Sequence, residues 1–248
     1  MRFIWTVPTF VLILTQGLFG AIPFTGIFGF ATLWLQYVGL SNVAASMCLT
    51  GFSAGLGVGN LVGGCLGDMA AMASPHRGRA HVAQASVTLG MLSAVCIFIL
   101  IPAEPTSASA YAASFTTLGL VVSWCRTGVN QPMLSEVVPE SLRATVMATE
   151  VGLESASAAI FGGPLVGFLA QHVFGYEASQ LELEHVPALQ RQHNARALQK
   201  ALGCMTVVPW AICLLCYLTV ALTYERDRER ALAINAKEAR SAGKKSDG

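Results

Sequence analysis

Six long apolar runs limit what this chain can fold into. Each is at least about as long as the roughly 20 residues that an α-helix needs to cross the hydrocarbon core of a bilayer. They occupy residues 7–37, 42–66, 80–101, 110–132, 144–175 and 200–224. Lipid offers the backbone no hydrogen-bond partners, so the runs must be helical, and they are too long and too evenly apolar for barrel strands. The sequence predicts an all-α integral membrane protein, with a six-helix transmembrane bundle in residues 1–224.

The amino-acid composition agrees with a membrane protein and excludes one class of partner. Hydrophobic residues make up 54% of the chain and charged residues 12%, whereas soluble domains carry about 25% charged residues. The formal net charge is +1, and the basic residues are not clustered with aromatic ones in the way that nucleic-acid binding requires. We therefore expect a lipid bilayer around the chain and no nucleic-acid partner.

Lysines and arginines are unevenly divided between the two sides of the predicted bundle. Eleven fall on the side of both termini and three on the opposite side. In multi-pass membrane proteins the excess of these residues lies in the cytoplasm. Both termini are therefore predicted to be cytoplasmic, with residues 225–248 forming a charged cytoplasmic tail.

Glycine and proline mark three of the predicted helices. In the second run a glycine recurs every fourth residue, at Gly51, Gly55, Gly59, Gly63 and Gly67. This spacing places all five on one helix face, where a neighbouring helix can approach the backbone closely. Both a fixed helix contact and a sliding contact between moving helices fit such a stripe. Pro23 and Pro164, each with glycines nearby, predict kinks in the first and fifth helices near mid-membrane.

The connection between the second and third runs carries a recognisable motif. Residues 64–79 read GCLGDMAAMASPHRGR, which resembles the major facilitator superfamily signature Gly-x-x-x-Asp-(Arg/Lys)-x-Gly-(Arg/Lys)-(Arg/Lys). The matching positions are Gly64, Asp68, Gly78 and Arg79. Seven extra residues separate Asp68 from His76, and Ala80 stands at the final basic position. The longer loop resembles that of the Spinster-like branch of the superfamily.

A second segment resembles the same branch. Residues 128–154, GVNQPMLSEVVPESLRATVMATEVGLE, are similar to a run that Spinster-like proteins carry around their tenth and eleventh helices. The matching positions are Asn130, Pro132, Glu136, Val138, Pro139, Leu142, Arg143, Glu150 and Glu154. The whole chain therefore resembles the C-terminal six-helix half of a Spinster-like transporter.

The resemblance implies a role for the charges of the first motif. A carboxylate at a helix C-terminus, such as that of Asp68, is unfavourable unless a positive charge meets it. The candidates are Arg77, Arg79 and Arg143. Family resemblance implies that this cluster is a cytoplasmic latch, closed in one conformation and released in the other. The alternative is a static helix cap.

Three charged residues lie well inside predicted spans: Arg126, Glu150 and Glu154. A charge there costs at least about 2.5 kcal/mol, which makes each of them a candidate for function. Arg126 and Glu150 each lie seven residues from the predicted loop 133–143. We therefore expect Arg126 to pair with Glu150 or Glu154, which share a helix face. The glutamates would exchange protons, bind a cationic solute group or only lock helices. The alternative is that all three reach water at the interface.

The resemblance implies a secondary transporter of a small organic or lipid-like solute, with proton coupling as one option. Alternating access in this superfamily needs two six-helix halves, so the expected partner is a second copy of the chain or a missing N-terminal half. The other hypothesis is a truncated, non-transporting membrane protein or scaffold. The seven cysteines lack neighbouring ligands at metal spacing, and no catalytic pattern occurs. We expect no metal, no cofactor and no enzyme activity.

Overall fold

Six long helices make up the computed structural model, which describes residues 4–179 and 183–246. Their bounds are α1 Pro8–Val38, α2 Asn42–Ala73, α3 Gly78–Leu100, α4 Pro105–Val137, α5 Glu140–Val173 and α6 Ala188–Ser246. Each contains a segment long and apolar enough to cross a membrane. No strand occurs within the described ranges. The predicted fold class, an all-α protein with six membrane-spanning helices, is confirmed.

The last helix is longer at both ends than the apolar run that predicts it. The polar connection expected before residue 200 is helical from Ala188 onward, and residues 225–246 of the expected tail prolong α6 without a break. These polar turns still bury one stripe of side chains, including Asn194 and Leu198 before the span and Asp227 and Ala231 after it. Packing on the bundle therefore extends the helix beyond its apolar part. Asp247 and Gly248 lie outside the described residues.

The six helices bring both ends of the described chain to one side, here called the terminal face. This face also holds connections 74–77 and 138–139, and the opposite far face holds connections 39–41 and 101–104 and the described residues 174–179 and 183–187. The chain leaves α1 through Gly39, whose φ of 106° favours glycine. It then enters α2 through Ser41, whose hydroxyl accepts the Ala44 N–H at 3.2 Å. Arg2, which enters the charge count, lies outside the described residues.

A pair of tyrosines joins two elements at the far face. The hydroxyl groups of Tyr37 at the end of α1 and Tyr176 after α5 are 3.1 Å apart, and their rings meet edge to face. Burial raises the pKa of the Tyr176 phenol well above its ordinary value, and the Tyr37 hydroxyl adds to this shift. The Tyr176 phenol therefore stays neutral, and its hydrogen bond to Tyr37 joins these two elements.

The glycine stripe of α2 lies against α4. A methyl group added at Gly55 would collide with the Thr116 carbonyl, and one at Gly59 with the Leu120 carbonyl. Further along, Gly63 faces the backbone of Trp124, and Gly51 faces the Thr116 side chain. The two helix backbones are therefore in direct contact, as small residues permit in membranes.

Prolines accompany the irregular parts of α4 and α5. Pro23 lies inside an α1 that stays helical throughout. Pro164 follows a π-helical turn at Ala158–Gly162, and Pro132 follows another at Arg126–Asn130. A proline has no N–H for the carbonyl four residues earlier, so a wider turn is a common way to pass it. The turn in α4 lies beside the main cavity.

Candidate functional site

A cavity of about 290 Å³ opens between α1, α2, α4, α5 and α6. Its polar lining consists of Gln16, Asn60, Ser123, Arg126, Asn130 and Glu154. Phe24 and Trp210 form part of its apolar wall, with ring centroids 6.3 Å apart. The cavity therefore offers both polar groups and aromatic surface inside the membrane-spanning bundle, which is typical of ligand sites.

Arg126 and Glu154 form an ion pair in this cavity. Arg126 Nη1 lies 3.8 Å from Glu154 Oε2. Glu150 is only 3% exposed and does not line the cavity, although it lies one helical turn before Glu154 on the same helix. Of the two partners that the sequence leaves open for Arg126, the structure therefore brings Glu154 to the guanidinium.

The pair lies deeper than the sequence predicts. The expected loop 133–143 is reduced to residues 138–139, because α4 continues to Val137 and the next helix begins at Glu140. Arg126 is 11 residues from Val137, and Glu154 is 14 residues from Glu140. At about 1.5 Å per residue, the two side chains start roughly 15 to 20 Å along their helices. The pair therefore starts three to four helical turns from the connection between α4 and α5.

Gly17 provides the space that the Glu154 carboxylate occupies. A methyl group on Gly17 would overlap the Glu154 side chain, so the carboxylate lies directly on the α1 backbone. Nearby, Gln16 is buried and lines the cavity, and its Nε2 has no hydrogen-bond partner within the described chain. An unpaired buried donor is costly, and this one is placed where a bound solute can accept from it.

The other polar residues of the cavity are held by neighbouring helices. The Tyr217 hydroxyl donates to Asn130 Oδ1 at 2.7 Å, and Thr127 Oγ1 donates to the Asn60 carbonyl at 2.8 Å. The sequence analysis selected neither Gln16, Asn60 nor Asn130 as a site residue. Their signal is an amide side chain inside an apolar run, which becomes informative only when the helix faces are known.

A second group of charges lies at the terminal face. Arg79 Nη2 is 3.0 Å from Asp68 Oδ1, Arg79 Nη1 donates to the Gly128 carbonyl at 2.8 Å, and Arg79 Nε lies 4.0 Å from Glu136 Oε1. Arg228 Nε contacts Glu136 Oε2 at 2.8 Å. We call Asp68, Arg79, Glu136, Tyr224 and Arg228 the terminal-face network, since the Tyr224 hydroxyl also donates to Glu136.

Only some of the predicted motif residues belong to this network. Arg79 meets Asp68, whereas Arg143 donates from Nε to the Ser135 carbonyl at 2.8 Å and pairs with Glu140 at 3.6 Å. Arg77 is exposed at the start of α3. Of the three candidates for Asp68, the structure therefore brings Arg79 to the carboxylate, while Arg77 is turned outward because α3 begins at Gly78.

The two motif glycines have different surroundings. Gly78 is buried against the Ala70 carbonyl, so α3 starts in contact with the last turn of α2. Gly64 has no atom of the described chain within 4 Å of an added methyl group. Gly64 is therefore free to contact another molecule.

The polar end of α6 is tied to four other parts of the terminal face. We call residues 225–246 the α6 extension. His76 Nδ1 is 3.3 Å from Glu225 Oε1, and the Thr9 N–H donates to Asp227 Oδ2 at 2.8 Å. Arg228 holds Glu136 at the end of α4, and the Glu140 N–H at the start of α5 donates to Asn235 Oδ1 at 3.2 Å. The sequence analysis assigned no site role to Glu136, Tyr224, Asp227 or Arg228.

The chain resembles a known protein in the arrangement of its six helices rather than in its sequence. No protein-family model and no curated protein matches the chain. A solved structure does: a bacterial homologue of the human lysosomal transporter Spinster, in an inward-facing and occupied conformation. The TM-score is 0.61 at 14% sequence identity, over 89% of this chain and 50% of that chain. This chain has the fold of about half of that structure. The predicted fold, a six-helix half of such a transporter, is confirmed, and the chain spans about half the length of the transporter that it matches.

Proposed function

We propose that this chain is one six-helix half of a secondary transporter, which moves a small organic or lipid-like solute by alternating access. The observation that carries this proposal is the Arg126–Glu154 pair in a cavity inside the membrane-spanning bundle. Intramembrane charges that line a cavity are typical of solute and ion pathways. The transporter fold of the matched structure supports the same conclusion.

The lining of the cavity favours an amphipathic solute. Arg126, Gln16 and Asn60 offer donors to a polar head, and Phe24 and Trp210 offer aromatic surface to an apolar part. The Arg126 side chain is 53% exposed, so its guanidinium has donors left for a second acceptor besides Glu154.

Proton coupling is the second part of the proposal. Arg126 pairs with Glu154, and the buried Glu150 lies one helical turn earlier on the same helix. Two carboxylates this close repel each other, so a proton held by one of them relieves the repulsion. Binding of a solute or a proton at Glu154 would change whether the two carboxyl groups hold that proton, and this change is the elementary step of coupled exchange.

A second six-helix half completes the proposed transporter. Of the described spans, α2 and α5 have the least buried surface. Added methyl groups at Gly57, Gly64 and Gly152 on these helices would meet no atom of the described chain. Exposed glycines favour close helix contact in membranes, and the half-exposed Arg126 needs cover from lipid. The partner is a second copy of this chain or another half.

The orientation and the motif charges have roles in the same scheme. Both termini are proposed to be cytoplasmic, on the positive-inside rule. The terminal-face network then lies in the cytoplasm. Its Asp68–Arg79 pair is proposed to be a latch that is closed in one conformation and released in the other.

A membrane scaffold without transport activity is the competing function, favoured by the match of this chain to only half of a transporter. The assembly in native membranes is measured first, with an antibody to the C-terminal tail. A denatured species near 26.2 kDa that doubles in mild detergent indicates paired copies. A denatured species of about twice that mass indicates both halves in one polypeptide.

Uptake by that purified assembly in liposomes then tests transport, with a panel of labelled lysolipids and amphipathic organic ions. We expect uptake of at least one member, lost in Glu154→Gln and retained in the far-face control Glu177→Gln. Uptake that is absent throughout contradicts the proposal and favours the scaffold, whereas uptake that Glu154→Gln leaves unchanged contradicts the role proposed for Glu154.

A further inference from the structure

The π-helical turn of α4, Arg126–Asn130, has a carbonyl that the helix itself does not satisfy in the usual way. In an α-helix the Gly128 carbonyl would accept the N–H of residue 132, but that residue is Pro132, which has none. The Gly128 carbonyl therefore depends on other donors. Gly67 of α2 faces this carbonyl without a side chain, which leaves it accessible from the α2–α3 side.

Arg79 provides the donor. Its Nη1 donates to the Gly128 carbonyl at 2.8 Å, while Nη2 of the same guanidinium bonds Asp68 at 3.0 Å. The side chain is only 12% exposed, and a guanidinium is planar, so its two bonds share one orientation. A single rigid group thus joins the end of α2 to the turn in α4.

The same turn places side chains in the cavity. Arg126 at its start pairs with Glu154, and Asn130 at its end accepts from Tyr217. The five-residue turn therefore contains two cavity residues, and Arg79 donates a hydrogen bond to the carbonyl at its centre. π-helical turns are frequent at functional sites because they present side chains that an α-helix would aim elsewhere.

We infer that Arg79 is a positioning residue for the cavity, through which the Asp68 contact at the terminal face and the Arg126–Glu154 pair are coupled. This inference rests on the proposed function and adds its regulation. When Asp68 releases Arg79, the guanidinium is free to turn, the Gly128 carbonyl loses its donor, and the turn shifts Arg126. Linkage makes the effect reciprocal, so a change at Glu154 alters the Asp68–Arg79 contact.

Hydrogen–deuterium exchange on the full chain in lipid nanodiscs tests this without any solute. Asp68→Ala, with Asp68→Asn as a variant of the same shape, should accelerate exchange of amides 126–131 roughly two- to tenfold, the effect of one hydrogen bond. Arg79→Lys should do the same, since an ammonium lacks the two-pronged geometry. Exposed Arg226→Lys and Met69→Ala are the matched controls and should leave these amides unchanged.

The reverse direction separates coupling from a merely structural role of Arg79. Glu154→Gln should accelerate exchange of amides 76–81, while amides 108–120 of α4 stay as in the unmodified chain. The inference is overturned if both Asp68 variants leave the exchange of amides 126–131 unchanged, or if Glu154→Gln leaves the exchange of amides 76–81 unchanged. Because no transport is measured, these outcomes do not depend on whether the chain moves a solute.

Discussion

Arg126 is the side chain that most restricts how this protein can sit in a membrane. It starts 11 residues before the end of α4, and its side chain is 53% exposed. A guanidinium in that position cannot face lipid without a large cost. The cavity side of the bundle must therefore face water or another polypeptide. Glu154, on the bare α1 backbone at Gly17, neutralises part of the charge.

A charge swap tests the partner of Arg126. We expect Arg126→Glu and Glu154→Arg each to abolish uptake or to lower the melting temperature, because each leaves like charges facing one another. The double variant restores the pair and should recover most of the loss. Arg126→Glu combined with Glu150→Arg is the matched control and should not recover it, since Glu150 does not line the cavity. A double swap no better than either single variant contradicts the pairing.

At the scale of the helices, two contacts determine the shape of the bundle: α2 against α4, and the α6 extension against the terminal face. The first contact depends on glycines, which have no side chain to hold the two backbones apart, and the second depends on polar side chains beyond the apolar span. Along α2, the five glycines of the stripe face α4, whereas Gly57 and Gly64 face open space. The α6 extension joins the starts of α1 and α5, the α2–α3 connection and the end of α4 through polar contacts. It therefore acts as a strap across four elements.

Two neighbouring glycines provide a matched test of the α2–α4 contact. Gly59→Ala should destabilise the protein by about 1–3 kcal/mol, because the methyl group meets the Leu120 carbonyl and the backbones must separate. Gly57→Ala, two residues away with no atom of the described chain within 4 Å, should be neutral or slightly stabilising. Thermal unfolding of the dissociated six-helix chain in detergent measures both, so that the proposed contact with a second half does not enter the comparison. Equal effects would mean that the stripe is not a packing surface.

The strap makes a separate prediction at the first turn of α1. Asp227 accepts the Thr9 N–H, as a capping side chain does, although it belongs to another helix. Asp227→Ala should cost about 0.5–2 kcal/mol and accelerate hydrogen exchange of amides 9–12. Glu229→Ala, on the exposed side of the same extension, is the control. If both variants behave alike, the extension does not hold α1.

At the scale of the whole molecule, the six helices have the fold of about half of the matched structure. α2 and α5 have the least buried surface of the described spans, and this surface carries exposed glycines as well as large apolar side chains such as Leu61 and Phe161. Arg126 lines the cavity between the helices. A second half on this side would cover the glycines and enclose the charges together.

A substitution on the exposed face of α5 tests this. Gly152→Leu should lower the melting temperature of the native assembly in mild detergent, because a leucine there separates the two halves. Ala85→Leu, on an exposed position of α3, should have little effect. The reverse order, or no difference, would show that α5 faces lipid and that the second half packs elsewhere.

The spans and the glycine stripe follow from the sequence because hydropathy and helix periodicity are local properties. Any run of about 20 apolar residues must be helical in lipid, and a spacing of four places glycines on one face whatever the neighbour. The motif residues were also recognisable, since they are close in the chain.

Only the tertiary structure decided which charges meet. Sequence spacing offered three arginines to Asp68 and two glutamates to Arg126, and packing selected Arg79 and Glu154. The contact between Tyr224 and Glu136 joins residues 88 positions apart, and the Arg79 bond to Gly128 spans 49. Such contacts depend on which helices are neighbours and how far each is rotated. Those properties are set by the packing of all six helices at once, so no single segment of the sequence contains them.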